Sequence, residues 1–136
     1  MNQIILIDDD PVVLFLHHAL LKRMNTESTV LSFDDGDLAL AHIQSEPTAS
    51  FLILLDINMP KMNGIEFLKE IRNNPDLKHL SVFMVTTSSD ESDIKDSYEH
   101  NVAGYILKPV DLSEFEGTFK LITEYWKLCE FPASAN

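Results

Sequence analysis

The sequence predicts a doubly wound α/β domain built on a parallel five-stranded sheet. Three observations predict it. Five short apolar runs alternate with five stretches of helical character along the 136 residues, which is the pattern of repeated βα units. The central run, Phe51-Leu-Ile-Leu-Leu55, is apolar at every position, as a strand covered on both faces requires. The runs also end in polar residues of related chemistry: Asp8 and Asp9, Asp56, Thr86 and Thr87, and Lys108. In a parallel sheet these ends share one edge, where open α/β sheets place their ligands.

Ile4-Ile-Leu-Ile7 reads as the first strand, closed by Asp8-Asp-Asp10-Pro11. Asp10 suits the cap of the next helix and Pro11 its first position. That helix is expected to run to about Lys22 or Met24. Its apolar stretch from Val12 to Leu16 predicts that it is well buried. Thr29-Val-Leu-Ser-Phe33 is a second, weaker strand, and Asp34-Asp-Gly36 turns it into a short helix through Leu38, Ala39, Leu40 and Ile43, ended by Pro47. The third strand covers 51–56, and Pro60 and Gly64 break the chain behind it.

A helix over 64–73 follows, with Gly64, Phe67, Leu68 and Ile71 on one face. Ser81 to Thr86 is the fourth strand. Ser88-Ser-Asp-Glu91 has the spacing of a capping box and predicts a helix start. That helix is poor in apolar residues, with a stripe of Ile94 and Tyr98, so it is expected to be the least firmly packed. Ala103 to Lys108 is the fifth strand, closed by Pro109, and Asp111-Leu-Ser-Glu114 is a second capping box. The last helix carries a seam of Leu112, Phe115, Phe119, Ile122, Trp126 and Cys129. Beside it runs a second stripe, Leu121, Tyr125, Leu128 and Phe131, open to a partner or a second copy. The domain is read as 1–128, with 129–136 as a partly disordered tail.

Composition excludes several classes. There are 22 acidic against 10 basic residues, a net charge of -12. Such a surface repels nucleic acid and anionic membrane, so no direct nucleic-acid or membrane binding is expected. It suits divalent cations and basic partner surfaces. The single Cys129 cannot form an intrachain disulfide, which fits a reducing compartment. No apolar run approaches a membrane span and the N-terminus lacks a basic region, so a cytoplasmic protein is expected.

The strand ends define the chemistry. Carboxylates gathered at one edge repel one another unless a cation is present. Hard divalent ions prefer oxygen donors, and Mg²⁺ keeps several waters while using few carboxylates. The acidic cluster therefore predicts a Mg²⁺ site. Hydroxyl, ammonium and metal around one carboxylate form a receptacle for a phosphoryl group, and carboxylates that form acyl phosphates are a known nucleophile class.

These residues resemble the receiver domain of two-component response regulators, of the single-domain, CheY-like type found in chemotaxis signalling. The resemblance covers residues 3 to about 128. It is carried by Asp8 and Asp9, by Asp56-Ile-Asn-Met-Pro-Lys-Met-Asn-Gly64, by Thr86 followed by Thr87, by Tyr105, and by Lys108-Pro109. Five motifs in order at suitable separations are specific, whereas each alone is weak. The resemblance implies a flavodoxin-like three-layer sandwich with strand order 2-1-3-4-5. It implies Asp56 as phosphoacceptor from a histidine kinase or histidine phosphotransfer protein. Asp9, Asp56 and the Asn58 backbone carbonyl would hold Mg²⁺ directly, and Asp8 mostly through water. Lys108, Thr86 and the Thr87 backbone amide would hold the phosphoryl oxygens. Thr86 and Tyr105 would be the switch pair, and the peptide before Pro109 is expected to be cis, aiming Lys108. Output would pass through the face of the fourth helix, fifth strand and fifth helix to a downstream protein target, with the chain a monomer or weak dimer through that face. The chain would then be no enzyme beyond its own phosphorylation and dephosphorylation.

Blander readings apply to single residues. Asp56 alone reads equally as a strand-closing cap, and Asp10 reads better as a helix cap than as a ligand. His17 and His18 read as structural histidines of the first helix, and His42, His79 and His100 have no metal-ligand spacing. A rival function is a Mg²⁺-dependent phosphatase of the haloacid dehalogenase type, with Asp8-Asp9-Asp10 supplying the nucleophile. Against it, Thr86-Thr-Ser-Ser89 stands where that class needs a later acidic pair. A docking module that has lost phosphorylation is the third reading.

Overall fold

A computed structural model describes residues 2–25, 27–109 and 111–132. Its elements are β1 (Asn2–Ile7), α1 (Pro11–Met24), β2 (Thr29–Phe33), α2 (Gly36–Ser45), β3 (Ser50–Leu55), α3 (Gly64–Asn73), β4 (Ser81–Thr86), α4 (Glu91–Glu99), β5 (Gly104–Leu107) and α5 (Leu112–Leu128). All neighbouring strands are parallel, in the order β2-β1-β3-β4-β5. This is the doubly wound, flavodoxin-like sandwich expected from the sequence.

Strand alternation builds the two cores. Side chains two apart point to the same face, so Ile5, Ile7, Ile53, Leu55, Val82 and Met84 share one cluster with α2 and α3. Ile4, Leu6, Leu52, Leu54, Phe83 and Val85 share the other with α1 and α5. The sheet is thus covered on both sides, which is why β3 is apolar throughout.

The helices are held very unequally. Burying a large apolar side chain contributes about 2 kcal/mol. α3 buries Ile65, Phe67, Leu68 and Ile71, whereas the buried residue of α4 is Ser97. α4 packs beside α3 and β5 and is the most weakly anchored helix, as expected. The side chain that faces inward is not the expected one: Tyr98 is 52% exposed. Its neighbour Ser97 turns in and donates its hydroxyl to the Asp93 carbonyl at 2.7 Å.

Further expectations are corrected. α1 is not buried all round: Val12 is 65% and Phe15 72% exposed, while His17, Leu20 and Leu21 meet the sheet. A helix lying on one sheet face buries one stripe, whatever the rest of its composition. The capping box at Ser88–Glu91 does not form. Asp90 is the N-cap residue, without a side-chain cap bond, and the Ser88 hydroxyl donates instead to Asp93 Oδ2 at 2.6 Å. With the N-cap at Asp90, Ser88 lies two residues before the helix start, and its hydroxyl proton goes to a charged carboxylate, a stronger class of bond than one between neutral groups.

The last helix starts as expected at Asp111, but the expected capping box does not form: the Asp111 side chain accepts from the Ser113 amide rather than from that of Glu114. Its seam packs through Phe115, Phe119, Ile122 and Trp126, and the second stripe of Leu121, Tyr125 and Leu128 is exposed. Phe131 packs against the core beyond the helix end. The expected disorder at 133–136 lies outside the described residues. No described helix is long and apolar enough to cross a membrane.

Candidate functional site

The backbone ladder continues one residue past several strands and so fixes the edge. The Asp8 amide donates to the Phe33 carbonyl at 3.1 Å, the Asp56 amide to Ile7 at 2.9 Å, and the Lys108 amide to Thr86 at 2.8 Å. Register therefore brings Asp8, Asp56, Thr86 and Lys108 to the carboxyl edge of the sheet. Apolar side chains behind them hold each strand, and the polar residue is the first that emerges.

Asp8 and Asp56 are buried, each 6% exposed, and Asp9 is exposed beside them. Carboxylate oxygens of Asp8, Asp9 and Asp56 lie within 4.8 Å of one another. The Lys108 ammonium donates to Asp8 Oδ2 at 2.6 Å and reaches Asp56 Oδ2 at 3.4 Å. The other Asp8 oxygen accepts from the Asp10 amide at 3.0 Å, and Asp56 Oδ1 accepts from the Ile57 amide at 2.8 Å. Three carboxylates against one ammonium leave an excess of negative charge in this crevice. The set consists of hard oxygen donors, two buried and one open to solvent, and it fits a Mg²⁺ ion that retains waters.

Burial pushes the Asp8 carboxyl up, and its bonds to Lys108 and the Asp10 amide only partly offset this. Burial alone lowers the Lys108 ammonium, but Asp8 and Asp56 outweigh it and the net shift is upward. The ammonium therefore stays charged and tempers the repulsion that Asp56 adds to Asp8.

The loop behind Asp56 is shaped by close backbone packing. The Gly64 amide donates to the Ile57 carbonyl at 2.9 Å. A Cβ on Gly64 would lie 2.3 Å from the Asp56 carbonyl oxygen and 2.8 Å from Ile57 Cα. Lys61 takes the left-handed conformation, with φ 66°, to complete the turn. Asn58 is exposed in this loop.

Thr86, Ser88 and Tyr105 form a second hydrogen-bonded group. Thr86 is fully buried, and its Oγ1 accepts from the Ser88 amide at 3.2 Å. Thr87 between them is exposed. The Tyr105 hydroxyl donates to the Ser88 carbonyl at 2.8 Å, and burial raises its pKa. Tyr105 is half-buried and packs against the α2–α3 side of the core.

The expected cis bond before Pro109 is corrected: no cis peptide occurs among the described residues. Proline only narrows the trans preference, and Lys108 reaches both carboxylates with a trans bond following it.

Sequence reasoning missed His17 as a neighbour of the site. It packs tilted against Phe115 and edge-on against Phe119, at centroid distances of 4.2 and 5.1 Å. With Asp8, Asp56, Leu14 and Val85 it lines a cavity of about 10 Å³ beneath the carboxylates. Burial, aided by the charge of Lys108, lowers its pKa to about 4. The only signal in the sequence was its place one helical turn before Leu20 and Leu21.

The comparisons with known proteins agree with this geometry. The family model for the response regulator receiver domain matches residues 4–120. Response regulator Rcp1 of Synechocystis sp. is 35% identical over 129 residues, spanning 90% of this chain and 87% of that protein. Chemotaxis protein CheY-3 of Vibrio cholerae is 34% identical over 107 residues, spanning 79% and 80%. Among solved structures, the Mn(2+)-bound form of Rcp1 superposes with a TM-score of 0.81 at 34% identity, covering 96% of this chain and 99% of that one. The phosphorylated cyanobacterial phytochrome response regulator RcpA gives 0.86 at 33% identity, covering 96% and 98%.

Proposed function

The chain belongs to the response regulator receiver domain family, and on that premise we propose that it works as a stand-alone phosphorylation switch with Asp56 as its phosphoacceptor. The observation that carries this reading is the convergence of Asp8, Asp9, Asp56 and Lys108 in one crevice. The donor is the phosphohistidine of a histidine kinase or of a histidine phosphotransfer protein. A carboxylate oxygen of Asp56 bonds to phosphorus as the phosphorus–nitrogen bond breaks, and the leaving imidazole takes up a proton.

Asp9, Asp56 and the Asn58 carbonyl are the Mg²⁺ ligands in this reading, with Asp8 acting through water. Bound Mg²⁺ supplies neutralising charge for the transferred group. A solved relative holds Mn²⁺ and another is phosphorylated, which supports both parts. Lys108 is already charged and aimed at Asp56, so it pairs with a phosphoryl oxygen without reorganising far. Thr86 and the Thr87 amide supply the remaining donors.

A Thr86 hydroxyl turned to the phosphoryl group leaves the Ser88 amide, and Tyr105 follows inward. Phosphorylation thereby shifts a pre-existing equilibrium of the α4–β5–α5 face. That face exposes Tyr98, Leu107, Leu121 and Tyr125, an apolar surface for a downstream protein or for weak dimerisation. The chain acts on no substrate other than its own aspartyl phosphate, and its place is the cytoplasm.

Nuclear magnetic resonance with Mg²⁺ and beryllofluoride tests the switch. Shifts at Asp56, Thr86 and Tyr105 are expected at saturation. Shifts absent at Thr86 and Tyr105 would leave only a docking module.

A further inference from the structure

We propose that Ser88 is a positioning residue that ties the switch threonine to the first turn of α4 through Asp93. Every polar group of Ser88 is engaged. Its amide donates to Thr86 Oγ1 at 3.2 Å, its carbonyl accepts from the Tyr105 hydroxyl at 2.8 Å, and its hydroxyl donates to Asp93 Oδ2 at 2.6 Å. The same hydroxyl oxygen accepts from the Asp90 amide at 3.4 Å. One residue therefore touches β4, β5 and the start of α4.

The two ends of α4 are held by different means. At its C-terminal end Arg72 reaches across from α3. The guanidinium donates to the carbonyls of His100 at 2.9 Å and Asn101 at 2.8 Å, and also to those of Lys78 and Leu80. At the N-terminal end Asp90 supplies no side-chain cap, and apolar burial does not compensate. The hydroxyl–carboxylate bond from Ser88 is the anchor there, and bonds to charged acceptors are the stronger class. A helix clamped at one end and tethered by one bond at the other pivots when the tether moves.

Ser88 is placed to move it. Its amide depends on Thr86 Oγ1, so a reoriented Thr86 hydroxyl withdraws that acceptor and the strain passes to the Asp93 bond. The trigger rests on the proposed phosphorylation of Asp56, whereas the tether itself does not.

Hydrogen exchange at the amides of 91–94 in the unphosphorylated protein tests the tether. Ser88→Ala and Asp93→Ala are each expected to speed exchange there about tenfold, the scale of a hydrogen bond to a charged group. The double variant is expected to be no faster than the singles, because both remove one bond. Ser88→Thr keeps the hydroxyl and should stay near the wild type. Glu91→Ala, which removes an exposed first-turn carboxylate, measures the helix-dipole share of the Asp93 effect. Unchanged exchange in the singles, or effects that add in the double variant, would overturn the tether.

With Mg²⁺ and beryllofluoride as the probe, the wild type is expected to change exchange at 91–94. In Ser88→Ala that response should fall at least threefold relative to the response at Thr86. An α4 response of undiminished size would overturn the relay. A wild type that does not respond at all would instead sink the phosphoacceptor reading, while the first comparison still decides the tether.

Discussion

Lys108 donates to Asp8 at 2.6 Å, closer than its 3.4 Å approach to Asp56, and the bond joins the ends of β5 and β1 across the two strands between them. The lysine is thus a counter-ion for a buried acidic pair before any phosphoryl group arrives. Removing one partner of a buried pair leaves uncompensated charge, which costs about 3 kcal/mol or more. Lys108→Ala should lower urea stability by about that amount without Mg²⁺. Saturating Mg²⁺ should restore more stability in the variant than it adds to the wild type, since it binds the folded carboxylates. The variant should still accept some phosphoryl groups but fail to switch. Equal Mg²⁺ effects in the two proteins, or normal switching, would count against this role.

Gly64 couples the fold to the site. Its missing Cβ leaves room for the backbone of Asp56 and Ile57, which side-chain repacking cannot provide. Gly64→Ala should therefore cost about 2 kcal/mol and slow phosphorylation of Asp56 by shifting the loop. Chemical denaturation and labelling rates measure the two effects. A variant that is stable and labels normally would show that the loop tolerates the displacement.

His17 gives stability a pH dependence of known sign. Its pKa falls from the ordinary 6.5 to about 4 in the folded chain. Above the ordinary value both states are neutral and stability is full. As pH falls between these values only the unfolded chain takes the proton, so stability declines, approaching a loss of about 3 kcal/mol near pH 4. His17→Phe should lose this part of the decline, read as a shallower stability slope between pH 6.5 and 4. Parallel slopes for the two proteins would exclude His17 as the source.

The elements with a strong period were legible: α3 and β4 fall at 64–73 and 81–86 as read. Composition could not say which side of α1 meets the sheet, so the apolar run at Val12 to Leu16 misled. Ser88 misled for a different reason. A capping box is a local pattern, and spacing alone cannot show that the helix begins two residues later at Asp90, which leaves the Ser88 hydroxyl to pair with Asp93. The carboxylates, Thr86 and Lys108 were readable because each ends an apolar run. The preference of Lys108 for Asp8 was not readable, because it depends on register summed over three strand pairings. Pro109 is trans, since a resemblance in sequence does not set that dihedral.

Intact-mass analysis after acetyl phosphate and Mg²⁺, on the wild type and on Asp56→Asn, tests the central claim most directly. The expected result is a gain of one phosphoryl group in the wild type, lost when Mg²⁺ is withheld and absent from Asp56→Asn. A phosphoryl group of the same yield on Asp56→Asn, or no gain in the wild type even with a phosphorylated histidine kinase as donor, would contradict Asp56 as the phosphoacceptor.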